Sequence, residues 1–272
     1  MRAVRGGISA LSAICPPAAA RLAHYLWYRP QRLALAPREF AILAQAQCQS
    51  QTVGAHTLSV YEWGTGPTVL LVHGWSGRTA QFSEFVTSLT RAGLRVVGFD
   101  APAHGRSSGS ATSLPEISAA IRTLSDVYGP LHAVIAHSFG VACTLHALHQ
   151  GLRVNRVVGI SPPATIEHLF RVFSERLGLR AAAQAGARHL FEARFGADVW
   201  TAFAPIELAP HVAAPALIVH DRGDREIPWR DGAALAEAWP GAEFKLTDGL
   251  GHRRLLSDAD VIEAALTFLQ NR

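Results

Sequence analysis

The sequence predicts an α/β fold, a mostly parallel twisted sheet with helices on both faces. Three observations predict it. From about residue 53, short apolar runs alternate with stretches of helical periodicity. Several of those runs are continuously apolar, as strands covered on both faces are. The chain also has 272 residues, 49% hydrophobic and 17% charged, which is enough for one large core.

The elements follow in order. "HTLSVYEWG" (56–64) alternates and reads as an edge strand. "TVLLVHG" (68–74) is the first fully apolar strand, followed by a helix at about 78–92 that Gly93 closes. "RVVGFD" (95–100) is the next strand. "SLPEISAAIRTLSDVYG" (113–129) has a Ser cap, Pro and Glu in its first turn and a Gly stop, the signals of a helix. "HAVIAHS" (132–138) is a buried strand, and "FGVACTLHALHQG" the helix after it. Strands at 154–163, 215–221 and 243–249 and an amphipathic helix at 258–270 complete the series.

Between Pro163 and Pro215 no strand candidate occurs, only helical periodicity punctuated by Gly. Roughly 50 residues far exceed an ordinary connection. A helical cap inserted at about 163–214 is expected, within an α/β domain spanning 51–272. Residues 1–50 form a helical extension whose apolar side (Leu22, Tyr25, Leu26, Trp27) is expected on the protein or on a membrane surface. The uncharged stretch from Gly6 to Ala20, after two arginines, has the outline of a leader cut near Ala18-x-Ala20. Gly6-Gly7 and Pro16-Pro17 interrupt it, and it is shorter than the ~20 apolar residues a span needs. The cytoplasm is therefore the expected location, with the periplasm or a membrane surface as the alternative if residues 1–20 act as a signal.

Net charge is +4 and scattered, with no run of five basic residues, so no nucleic-acid partner is expected. The bias to 24 arginines against the single Lys245 reads as genome composition. Cys15, Cys48 and Cys143 make neither a disulfide framework nor a zinc signature. Nothing clusters at metal-ligand spacing, and no cofactor is expected.

The chemistry starts at "AHSFG". Ala136-His137-Ser138-Phe139-Gly140 places a serine between small residues, at the junction of a predicted strand and a predicted helix. A sharp turn there projects the serine above the sheet and leaves no room for bulk two residues before or after it. Ala136 in place of the more frequent Gly loosens the match by one methyl. A serine nucleophile needs a base, and the base an orienting acid. After the strand "ALIVHD" come Asp221 and Asp224, and after "EFKLTDG" comes His252 in a Gly-flanked loop. These residues lie past strand ends, where ligands bind in such sheets.

Over roughly residues 53–272 the chain resembles the α/β-hydrolases. The resemblance rests on "LLVHGW", "FDAPAHGRSSG", "AHSFG", "HDRGDREIP" and "GLGHRRL", five motifs in the family's order. It implies the α/β-hydrolase fold and a Ser-Asp-His triad of Ser138, Asp224 and His252, with Asp221 bracing the acid loop. It also implies an oxyanion hole from the backbone N–H groups of Trp75 and Phe139. His73 is expected to orient that hole, Asp100, His104 and Arg106 to form a structural turn, and His137 to neighbour the nucleophile. Serine at the elbow argues against the dehalogenase and epoxide hydrolase branches, which use aspartate there. The implied partner is a small-molecule acyl substrate, with a carboxylic ester as the default. Thioester, lactone or carbon–carbon hydrolysis on the same triad, and a non-hydrolytic binding role, stay open. The cap aromatics, among them Phe170, Phe173, Phe191 and Trp200, lean toward an apolar substrate but read first as packing.

Overall fold

The computed structural model describes residues 2–270. Eight strands form one sheet: β1 (Gln47–Val53), β2 (His56–Trp63), β3 (Thr68–Val72), β4 (Arg95–Phe99), β5 (Leu131–His137), β6 (Val154–Ile160), β7 (Ala216–Asp221) and β8 (Glu243–Thr247). Their spatial order is β1-β2-β4-β3-β5-β6-β7-β8. β2 is antiparallel to both its neighbours, and every other pair is parallel.

The helices are α1 (Arg2–Ile14), α2 (Pro16–Trp27), α3 (Pro37–Leu43), α4 (Ser83–Arg91), α5 (Leu114–Tyr128), α6 (Phe139–His149) and α7 (Ile166–Leu177). They continue as α8 (Ala181–Phe195), α9 (Val199–Ala202), α10 (Pro205–Leu208), α11 (Trp229–Ala238), α12 (Gly251–Arg254) and α13 (Ala259–Gln270). Because successive strand residues face opposite ways, each apolar run feeds two cores. Leu70, Val72, Val134 and Ala136 pack with α5 and α6, whereas Val69, Leu71, Ala133 and Ile135 pack with α4 and α13.

Three expectations need correction. Residues 56–63 are not the edge, because the polar, mostly exposed β1 pairs outside them. The domain boundary at residue 51 thus falls inside a strand. Helix α11 was not expected, since Gly232 interrupts its pattern. Third, the buried side of α2 is Ala19, Ala20 and Ala23, while Tyr25 is exposed with the Arg29 guanidinium over its ring. The alanines meet α8, where Ala183 and Ala187 are also buried. A methyl on Gly186 would stand 3.0 Å from the Ala20 Cβ. Helices this close select the smallest side chains, which carry little apolar signal.

Residues 166–211 are helical and lie between β6 and β7. They are joined by the N-terminal segment: Trp27 packs edge-on against Phe170, Phe173 and Phe191, and Tyr28 stacks on Phe191. Trp200 packs on both Phe170 and Phe191. This helical layer is therefore built from two distant stretches, with these aromatics packed between them. No helix among the described residues is long and apolar enough to cross a membrane.

Candidate active site

Ser138 follows β5 and caps α6 with φ 55° and ψ −125°, a backbone conformation that costs an L-residue on the order of 1–3 kcal/mol. Its N–H donates to the Ile160 carbonyl at 2.8 Å and its carbonyl accepts from Val141, which pins the turn between β6 and α6. The small neighbours are required. A methyl on Gly140 would lie 2.6 Å from the Val72 carbonyl oxygen, and Ala136 is fully buried. The serine side chain remains partly exposed.

Asp224 and His252 come together as expected. His252 Nδ1 lies 2.7 Å from Asp224 Oδ2, and the remaining oxygen, Oδ1, accepts the N–H groups of Glu226 and Ile227 at 2.8 and 3.0 Å. Burial of Asp224 opposes its ionisation. The hydrogen bonds of His220 and His252, with the charge on His252, outweigh that and hold the carboxyl well below the usual carboxylate range. Among the described residues Asp221 makes no hydrogen bond or ion pair with the His252 side chain. It accepts from the N–H groups of Gly223, Leu250 and Gly251 and from the Thr247 hydroxyl, so it ties the acid loop to the histidine loop.

Ser138 and His252 are linked through His137. The His137 Nε2–H donates to the His252 carbonyl at 2.9 Å, and the two rings are 4.7 Å apart. Burial, and then the neighbouring His252 charge, push His137 down to about 3, so it is neutral at pH 7. Among the described residues the Ser138 hydroxyl itself makes no hydrogen bond. Catalytic hydrogen bonds often tighten only once substrate is bound.

The two residues expected to donate to an oxyanion, Trp75 and Phe139, are neighbours in the fold. Residues 74–77 form a turn, closed by Gly77 N–H to Gly74 O at 2.9 Å, with Ser76 at φ 56°. The rings of Trp75 and Phe139 meet edge-on at 5.6 Å. Neither backbone N–H has an acceptor among the described residues, and Phe139 N–H opens a helix, where the backbone dipole favours negative charge.

Two buried histidines hold the turn. His73 Nδ1–H donates to Gly74 O while its Nε2 accepts from Ala101 N–H. His104 Nδ1–H donates to Pro102 O and its Nε2 accepts from Ser76 N–H at 3.0 Å. Burial lowers His73 to about 4 and His104 to about 3, which keeps each able to donate and accept at once. Asp100 is structural: it receives Thr79 N–H, Arg106 N–H and the Tyr61 hydroxyl. Gly105 is demanded there, since a Cβ would strike the Asp100 carboxylate.

Two further contributors escaped the sequence patterns. His220, fully buried in β7, reaches Asp224 Oδ2 at 3.2 Å. The segment from Tyr28 to Ala36 lies across the 74–77 turn. Gln31 N–H donates to Ser76 Oγ, and Arg32 donates to the carbonyls of Ala103, Ser107 and Gly109. All three cysteines are free, and no group of metal-binding side chains occurs among the described residues.

Residues 69–265 match the family model of the alpha/beta hydrolase family. No curated protein matches the chain. Among solved structures, a putative lipase from Acinetobacter baumannii superposes with TM-score 0.65 at 19% identity, covering 87% of this chain and 97% of that one. A bromoperoxidase from Bacillus anthracis gives 0.64 at 20% identity over 83% and 100%. A thermophilic esterase from Thermogutta terrifontis gives 0.63 at 18% identity over 83% and 98%. At such identities the likeness is one of fold.

Proposed function

The chain belongs to the alpha/beta hydrolase family, and we propose that it is a serine hydrolase acting on a carboxylic ester with a small or medium acyl group. The Asp224–His252 contact at 2.7 Å carries this reading. It holds the imidazole by Nδ1 and leaves Nε2 without a partner among the described residues, past the end of β8, while Ser138 lies past the end of β5 in the same sheet.

In this mechanism Ser138 Oγ attacks the ester carbonyl carbon as His252 Nε2 takes its proton. Asp224 stabilises the resulting imidazolium, and the N–H groups of Trp75 and Phe139 receive the oxyanion. Collapse breaks the C–O bond to the alcohol, which leaves with the proton held on His252. Water then attacks the acyl-enzyme, with His252 as base, and releases the carboxylic acid and free Ser138.

The cap aromatics give no support to an aromatic substrate, because their rings pack on one another. A p-nitrophenyl ester series from acetate to decanoate, run on wild type and Ser138→Ala, tests the proposal. Turnover by wild type alone supports it, and chain-length preference sizes the acyl site. Silence from folded wild-type protein sinks it and moves carbon–carbon hydrolysis or binding forward.

A further inference from the structure

We infer that His220 is a positioning residue for the acid: its Nε2–H bridges the Ile227 carbonyl and Asp224 Oδ2, so that one carboxylate oxygen is shared by two imidazoles. This inference rests on Asp224 being the triad acid.

The sequence places a histidine inside the apolar run "ALIVHD", at a position where the other five residues are buried too. His220 has no exposed surface. Its Nε2 lies 3.1 Å from Ile227 O and 3.2 Å from Asp224 Oδ2, both acceptors, which places the ring hydrogen on that nitrogen. Nδ1 is buried without a partner among the described residues. Gly232 of α11 closes over it, since a methyl there would come 2.4 Å from Nδ1. The ring is therefore clamped between α11 and the acid loop.

An aliphatic residue would fill this strand position without burying an unpaired nitrogen. The position is spent instead on the lone pair of Oδ2 that His252 leaves open. Asp224 thus has four nitrogen neighbours: Glu226 and Ile227 N–H donate to Oδ1, His252 Nδ1 lies 2.7 Å from Oδ2, and His220 Nε2 lies 3.2 Å from the same oxygen. Two consequences follow. The carboxylate cannot swing away from His252. Part of its negative charge is also drawn to His220, which moderates how strongly it holds a proton on His252.

Other charged groups here are committed elsewhere. Asp221 serves Gly223, Leu250, Gly251 and Thr247, His137 binds the His252 carbonyl, and Arg253 pairs with Glu226 at 3.4 Å.

The test compares His220→Leu, which removes the donor, with His220→Gln, which restores one near Nε2. Folding is first checked by circular dichroism. In His220→Leu the acidic limb of kcat/KM should move up by about half to one pH unit, and kcat at pH 7 should fall roughly tenfold with little change in KM. His220→Gln should recover both. The low-field Nδ1–H proton resonance of His252 should shift further downfield in His220→Leu and return in His220→Gln, with no substrate present. A limb and a resonance unmoved in folded His220→Leu overturn the inference, and so does lost activity that Gln does not restore. If wild type hydrolyses no ester and Ser138 takes no fluorophosphonate while the resonance still responds, the esterase reading falls and the role of His220 stands.

Discussion

The backbone N–H of Gln31 donates to the hydroxyl of Ser76 at 2.9 Å, joining the N-terminal segment to the turn that carries Trp75. Arg78, two residues on, donates to the carbonyls of Leu33 and Ala34, and Arg32 fastens the facing loop. The 74–77 turn, proposed to carry an oxyanion donor, is therefore held from outside by a strap as well as from beneath by His73 and His104.

Arg32→Ala should lower kcat more than it raises KM, by roughly tenfold. Loosened donors affect developing charge more than substrate binding, and a full donor is worth about 3 kcal/mol. Steady-state kinetics on the preferred p-nitrophenyl ester check this. Equal changes in kcat and KM, or none, would contradict the role given to the strap.

Gly74 stands against Ser138, the proposed nucleophile. A methyl there would lie 2.9 Å from the Ser138 Cβ and 3.2 Å from the His137 carbonyl. Gly74→Ala should cost about 1–3 kcal/mol of stability through overpacking and on the order of 100-fold in kcat through the displaced turn. A variant with wild-type kcat would show that the turn has room to spare.

The two aspartates of the acid loop should separate cleanly. Asp224→Asn should leave the fold intact and reduce kcat by about 10⁴-fold, since the imidazole loses its orienting charge. Asp221→Ala leaves three backbone N–H groups without an acceptor. It should destabilise the protein by roughly 3–5 kcal/mol. Urea denaturation and kinetics on both variants decide the matter, and the opposite pattern would exchange the two roles.

Three histidines set an acid limit on stability. His73, His104 and His137 are lowered by burial to about 4, about 3 and about 3. Below the ordinary histidine value of about 6.5 the unfolded chain binds protons that the folded protein refuses, so stability rises with pH across that window. The contribution is complete above about pH 6.5 and is lost as pH falls toward 3–4, several kcal/mol in all. Thermal melts from pH 7 to 4 should show a steep fall in Tm, less steep in His104→Gln. A flat profile would mean that these rings accept protons without unfolding.

Ser138 and Asp224 were legible because each follows an apolar run, and His252 because it follows the mixed strand "EFKLT" in a Gly-flanked loop; strand ends in such a sheet converge on one edge. Asp221 and Asp224 could not be told apart by residue type or position, only by the family loop pattern, and the hydrogen bonds of the folded loop give them different partners. β1 was invisible because "QCQSQTV" is polar and mostly exposed; it forms by pairing with β2 rather than by burying an apolar face. His220 was hidden within a hydrophobic run, where a strand pattern absorbs a single polar residue. The strap acts mainly through backbone groups and arginines reaching carbonyls, interactions that leave little trace in residue type.

The alanine seam between α2 and α8 also has a consequence in time. More than half the chain separates the two helices, so α2 leaves the ribosome long before its partner exists. Until α8 emerges, Trp27 and the small-residue face of α2 have no cap to cover them. Contacts this distant in sequence form late and slowly. The nascent chain thus carries an uncovered apolar helix through most of its synthesis, a stage at which chaperones or premature self-association compete with folding.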